Sequence, residues 1–232
     1  MSSALSVRGL SAGYGPLKVL DDIDLEVAER ERVGLVGLNG HGKSTLMRAV
    51  VGLVDWRTGA IESGATNLMK TPTHRLAREG IVLIPQGDSL FPGLSVRENL
   101  DAGAFAPANW RRRAESRERV VEIFPRLGER MKQVVGTLSG GERRMCSIGR
   151  GLMAQAHIYL VDEPSLGLAP GVAETIVRTL CSLDLGGGAL VLAEQNRTLL
   201  EGRIDRIVRI HAGKVAGIEP GTPAQSPAQE PA

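Results

Sequence analysis

The stretch Gly37-Leu38-Asn39-Gly40-His41-Gly42-Lys43-Ser44-Thr45 fits the phosphate-loop pattern G-x-x-x-x-G-K-[ST]. Glycines at this spacing let successive backbone N–H groups converge on anionic oxygens, and a helix starting there adds its positive N-terminal end. Lys43 is placed to reach the β- and γ-phosphates of a nucleoside triphosphate and Ser44 to offer a hydroxyl to Mg²⁺, while Gly37, Asn39, Gly40, Gly42 and Thr45 frame the pocket. Downstream, Ile158-Tyr159-Leu160-Val161-Asp162-Glu163 sets two carboxylates at the end of an apolar run. Asp162 would hold Mg²⁺ through water, and Glu163 would orient and deprotonate the water that attacks the γ-phosphate. Standing alone, these could be mere exposed strand-end acids; the phosphate loop makes the chemical role the better reading. A third segment, Leu138-Ser139-Gly140-Gly141-Glu142, offers a serine and bare amides at a helix start, which suit a γ-phosphate. By itself a Ser-Gly-Gly turn is only a common helix start.

Positioning these groups requires an α/β sheet. Residues 32–37 are apolar and β-branched enough for the centre of a parallel sheet, and residues 43–53 continue with helical spacing. Further core strands are expected at 80–85, 157–162 and 189–193, with helices over 140–153 and 171–183. Acids at the end of such a strand lie at the sheet edge where ligands bind. Alternating segments at 4–8 and 19–27, with a turn near Gly13-Tyr14-Gly15-Pro16, read as antiparallel strands, and 204–210 with 214–218 as a closing pair. Residues 90–131 turn charged and helical, which reads as a helical subdomain inserted into the core, about 88–153 in all. Its Trp110-Arg111-Arg112-Arg113 run is most simply a solvated face. The domain is expected over 1–218, followed by a Pro-, Ala- and Gln-rich tail, 219–232, that cannot bury enough apolar surface to order itself.

Composition narrows the function classes. The 232 residues carry 28 Lys and Arg against 26 Asp and Glu, a balance that argues against a dedicated nucleic-acid binder. Cys146 and Cys181 are too few for a disulfide framework, and His41, His74, His157 and His211 are too scattered for a metal cluster. No stretch approaches ~18 consecutive apolar residues, and the first residues lack a signal-peptide pattern, so membrane association is expected to come through a partner. His41, in a variable position of the phosphate loop, reads as an exposed loop residue.

Together the phosphate loop, the 138–142 segment and the strand ending in Asp162-Glu163 resemble the ATP-binding subunit of an ABC transporter. The resemblance implies a P-loop NTPase core with an antiparallel β subdomain and an inserted helical one, hydrolysing ATP with Mg²⁺. It also implies that Tyr14 stacks on adenine and that Gln86 contacts Mg²⁺ and the attacking water. Two subunits, identical or different, would pair head to tail, so that Ser139, Gly140 and Gly141 of one close over ATP held by the other. Finer matches, Glu163-Pro164-Ser165-Leu166-Gly167-Leu168-Ala169-Pro170 and Ala193-Glu194-Gln195-Asn196, are similar to the LivF type that energises branched-chain amino-acid import. Such a subunit sits on the inner face of the cell membrane, docked on two permease subunits, with a solute-binding protein supplying substrate.

Two departures qualify the resemblance. Gln195 stands where most of the family has a histidine that contacts the γ-phosphate; an amide can donate a hydrogen bond but cannot become cationic. Gln86-Gly87-Asp88 stands where LivF-like chains commonly have Glu-Gly-Arg, which leaves ATP chemistry intact and loosens the solute assignment, with urea, amides or another solute as the alternative. Phe91 to Val96 follows, where relatives hold a permease helix; the same residues also read as the capped start of the next helix. A non-transport ABC protein would normally carry a long coiled-coil insertion or a second ATPase domain, and a GTPase would carry N-K-x-D; the sequence has none of these.

Overall fold

The computed structural model describes residues 3–222. In chain order the elements are β1 (Ser3–Tyr14), β2 (Leu17–Ala28), β3 (Arg32–Val36), α1 (Lys43–Val50), β4 (Trp56–Ser63), β5 (Thr66–Asn67), α2 (Thr73–Leu76) and β6 (Ile81–Ile84). Then come α3 (Val96–Gly103), α4 (Pro107–Arg111), α5 (Arg113–Ile123), α6 (Pro125–Glu129) and α7 (Gly140–Leu152). The chain closes with β7 (Ile158–Asp162), α8 (Pro170–Cys181), β8 (Ala189–Glu194), β9 (Arg206–His211) and β10 (Lys214–Pro220).

Two sheets result. The antiparallel one runs β2-β1-β4-β5, and the other runs β10-β9-β3-β8-β7-β6, parallel except for β10. The central strands read as unbroken apolar runs because both of their faces are covered. Ile158, Leu160, Val191 and Val33 point into a core shared with α1 and the antiparallel sheet, packed on Leu46, Met47, Leu10 and Ile23. Tyr159, Val161, Leu190 and Leu192 point the other way, into a core shared with the helices through Leu100, Ile148, Ile176 and Leu180. At ~25 cal/mol per Å² of buried apolar surface, these two interdigitated cores dominate the favourable side of folding. Both cysteines lie in the second core, where burial pushes their thiols up to about 12 for Cys146 and about 11 for Cys181, leaving neither a ready nucleophile.

The antiparallel sheet is larger than the sequence pattern announces. Strands β4 and β5 are additions to the pair expected at 4–8 and 19–27. Gly59 interrupts the β4 pattern, and the packing explains it. A Cβ there would lie 2.5 Å from the Gly9 carbonyl, and the residue sits at φ 102, so only glycine lets β4 cross β1 at that point. The Trp110–Arg113 run lies on the surface, with the Arg113 guanidinium 4.2 Å above the Trp110 ring and Arg112 paired to Glu115. The last strand continues to Pro220 rather than stopping at Ile218, and residues 223–232 of the tail lie outside the described residues. No helix among the described residues is long and apolar enough to cross a membrane.

Candidate functional site

Four adjacent strands, β3, β8, β7 and β6, deliver the site from one sheet edge. Their carboxyl ends are level: Val36 pairs with Glu194 and Asp162 with Ala193. Beyond those ends lie the phosphate loop after β3, Gln195 after β8, Glu163 after β7 and Gln86 after β6. Residues more than a hundred positions apart therefore meet where an open parallel sheet binds ligands.

The phosphate loop turns through Gly40 at φ 80 and Gly42 at φ 105, and Gly42 caps α1. Lys43 is 3 % exposed and its Nζ donates to the carbonyls of Gly37 (2.7 Å) and Leu38 (3.2 Å). The same Nζ lies 3.1 Å from Glu163 Oε1. Gln86 Nε2 donates to the other carboxylate oxygen of Glu163 at 3.3 Å. Ser44 Oγ donates to Asp162 Oδ1 at 3.0 Å. Burial pushes the Asp162 carboxyl above its ordinary range, the Ser44 hydroxyl opposes that shift, and the neighbouring Glu163 charge adds to it. Lys43, Ser44, Gln86 and Glu163, with Asn39, Gly40, Gly42, Thr45 and Val19, line a cavity of about 420 Å³. The arrangement can bind polyphosphate at one end and hold a carboxylate base, tethered by an amide and a cation, at the other.

Glu163 itself adopts φ 42, a left-handed conformation that costs a non-glycine residue about 1–3 kcal/mol. Its N–H is fixed to the Ala193 carbonyl at 3.0 Å, which holds the strained turn in place. Nothing in the residue pattern discloses this feature.

The remaining residues singled out by sequence divide into three groups. Gln195 is exposed and lines a second hollow of about 370 Å³ with Ser165, Glu194 and Glu163, so Glu163 stands between the two cavities. Ser139 and Gly140 are exposed and Gly141 half-buried at the start of α7, and none of the three lines the phosphate-loop cavity of their own chain. The Ser139 hydroxyl caps α7 by accepting from the Glu142 N–H at 3.3 Å, while Glu142 accepts from the Ser139 N–H at 2.9 Å. Tyr14 ends β1, half-buried, and is likewise not among the residues lining that cavity. Its hydroxyl is buried with no partner among the described residues. The hairpin that carries Tyr14 also carries Val19, which forms part of the cavity wall. His41 departs from the exposed reading: it is half-buried, edge-on to His211 with ring centroids 4.5 Å apart.

Two further buried charged residues next to the site, Arg144 and Glu194, were given no role of their own by the sequence. Glu194 is 2 % exposed and accepts from the Ser165 N–H (3.1 Å) and Oγ–H (2.7 Å). Burial raises its pKa above the ordinary 4.5, opposed by the Ser165 hydrogen bonds and reinforced by the Glu163 charge. A carboxyl with a raised folded-state pKa binds its proton more tightly when folded, so its ionisation removes stability as pH rises from 4.5 through the folded value. Glu194→Gln keeps an acceptor for the Ser165 N–H and can donate to its hydroxyl, so it should melt increasingly above the wild type as pH is raised. Thermal unfolding between about pH 4.5 and 8 tests this, and a constant difference across that window would contradict a desolvated carboxylate.

A family model described as "ABC transporter" matches residues 20–166. The chain is 37 % identical over 211 residues to the high-affinity branched-chain amino acid transport ATP-binding protein BraG of Pseudomonas aeruginosa, covering 91 % of this chain and 90 % of that one. It is 35 % identical over 191 residues to the probable branched-chain amino acid transport ATP-binding protein LivF of Archaeoglobus fulgidus, covering 81 % and 79 %. Among solved structures, an ATP-binding cassette in its ADP conformation superposes with a TM-score of 0.82 at 24 % identity, covering 96 % and 92 %. That last likeness concerns the fold.

Proposed function

This chain belongs to the ABC transporter family as an ATP-hydrolysing subunit, and we propose that it energises import of branched-chain amino acids or related small polar solutes. The observation that carries the ATPase chemistry is the convergence of Lys43, Ser44, Gln86 and Glu163 on one cavity, with Asp162 hydrogen-bonded to Ser44. The solute class rests on the two relatives named for branched-chain amino acid transport.

In the proposed cycle the phosphate-loop N–H groups and Lys43 take the β- and γ-phosphates. Lys43 then exchanges its bond to Glu163 for the γ-phosphate, which frees the carboxylate to accept a proton from water held against Gln86. The Ser44 hydroxyl, the Asp162 carboxylate and the Gln86 amide oxygen form a hard-oxygen donor set that fits Mg²⁺. Bound there, the ion would offset charge on the phosphate oxygens. Gln195 would hydrogen-bond the γ-phosphate from the neighbouring hollow, and the half-exposed Tyr14 ring would stack on adenine at the hairpin end of the site.

Hydrolysis is proposed to be shared between two subunits, the Ser139–Gly141 turn of each closing over the other's ATP. Ser139 and Gly140 are exposed in the single chain, and none of the three residues lines its own phosphate-loop cavity, which supports an action in trans. The helical segment 88–153 would move as a unit against permease helices. A groove of about 440 Å³ supports that docking, lined by Leu53, Phe91 and Phe105, each about half exposed. The chain would thus lie on the inner face of the membrane through two permease subunits. Reconstitution with two permease subunits and a solute-binding protein of a branched-chain amino-acid importer should give ATP turnover stimulated by leucine or isoleucine. Stimulation by urea or short amides alone would reassign the solute.

A further inference from the structure

Arg144, on α7, is 3 % exposed, and among the described residues no carboxylate lies at ion-pairing distance from it. Burying a guanidinium this way is costly unless its donors are used, and here all three of its nitrogens donate to backbone carbonyls. Nη1 donates to Pro85 O at 2.8 Å and to Gly87 O, Nη2 to Asp162 O at 2.9 Å, and Nε to Pro164 O at 3.2 Å. Those four carbonyls belong to the residues on either side of Gln86 and on either side of Glu163. The charges of Asp88, Asp162 and Glu194 oppose the cost of burial from further away. A guanidinium is a rigid plane, so four bonds from one plane fix how two loops stand relative to each other. What those loops hold in common is the contact of Gln86 with Glu163 at 3.3 Å.

We propose that Arg144 is a positioning residue that locks Gln86 and Glu163 into one frame, and does so from the helix whose first turn, Ser139 to Gly141, serves a partner's nucleotide. The inference rests on Gln86 and Glu163 acting at the γ-phosphate. It adds a path between the two sites of a dimer: α7 is a stiff rod rising ~1.5 Å per residue. A partner's γ-phosphate pressing on the start of α7 displaces the carbonyls that flank this chain's own base. Closure over one nucleotide thereby sets the geometry at the other.

The test compares Arg144→Lys and Arg144→Gln with Glu163→Gln in the full chain, measuring melting temperature, ATP affinity, KM and kcat. Lysine keeps the charge, but a point ammonium cannot span carbonyls on two loops. Both Arg144 variants are expected to bind ATP with Kd and KM within about threefold of wild type while kcat falls on the order of 10²-fold, the cost of misplaced catalytic groups. Wild-type kcat in both beside an inactive Glu163→Gln would overturn the proposal alone. Active Glu163→Gln would overturn the assignment of the base and the proposal with it. Variants that fail to fold, or whose loss lies wholly in KM, would assign Arg144 to the scaffold and likewise overturn it.

Discussion

Glu163→Gln is expected to leave ATP binding intact and to lower hydrolysis by about 10²–10⁴-fold, the usual contribution of a positioned general base. The substitution is nearly isosteric and leaves the strained backbone at φ 42 and its N–H bond to Ala193 unchanged, so folding should be unaffected. What it removes is the ability to take a proton from water. It also removes the counter-charge 3.1 Å from Lys43 Nζ. In the wild-type chain without nucleotide, ATP must displace that carboxylate from Lys43; in the variant it displaces a neutral amide. ATP affinity should therefore be equal or higher, and ATP-bound dimers should accumulate because the step that separates them is blocked. Phosphate release and size-exclusion chromatography with ATP and Mg²⁺ measure both effects. Wild-type turnover in this variant would remove Glu163 from the role of base.

The site was legible in sequence wherever its chemistry depends on local order. Lys43 and Ser44 follow glycines at fixed spacing because one loop has to wrap one phosphate chain, and Asp162 follows an apolar run because a buried strand has to end at the ligand edge. The core strands were legible for the same reason, since burial on both faces keeps β7 and β8 free of charged residues up to their last positions, Asp162 and Glu194. Legibility failed where a residue's role depends on distant backbone. Arg144 sits between Arg143, half-buried and paired with Asp88, and apolar neighbours, and nothing local separates the two arginines. Its spacing of four from Ile148 on the buried face of α7 was the one available signal. Strand β4 was hidden by Gly59, whose reason is a carbonyl of β1 rather than anything in its own strand. The burial of Glu194 was not legible either, because its partner Ser165 comes from the loop after a different strand.

Gly140 leads to the second large effect. A Cβ at this position would meet only Arg143 Nη2 at 3.9 Å and Leu168 Cδ2 at 4.0 Å, which is ordinary contact. The residue is outside the left-handed region, and it opens a helix in which glycine is worth up to ~1 kcal/mol less than alanine. Among the described residues nothing requires the glycine, so a larger side chain there would matter only to what approaches from outside. An aspartate there should even suit the positive end of α7 in the free chain. Gly140→Asp is therefore expected to fold and to bind ATP at its own phosphate loop as the wild type does. In a dimer of two copies it would set a carboxylate against the partner's γ-phosphate, and turnover should fall by at least ~10²-fold, the scale for losing one preorganised donor. Lys43→Ala should be equally inactive for the opposite reason, with an intact Ser139–Gly141 turn and a phosphate loop that cannot hold the nucleotide. The two defects lie in different halves of each composite site. In a mixed dimer both fall on one site, and the other pairs a normal phosphate loop with a normal turn. An equal mixture of the two inactive chains should recover at most roughly a quarter of wild-type turnover, because half of the dimers are mixed and each has one sound site, and coupling through α7 lowers that ceiling without abolishing it. No recovery, with Gly140→Asp shown to bind ATP, would mean that the turn does not act between copies of this chain.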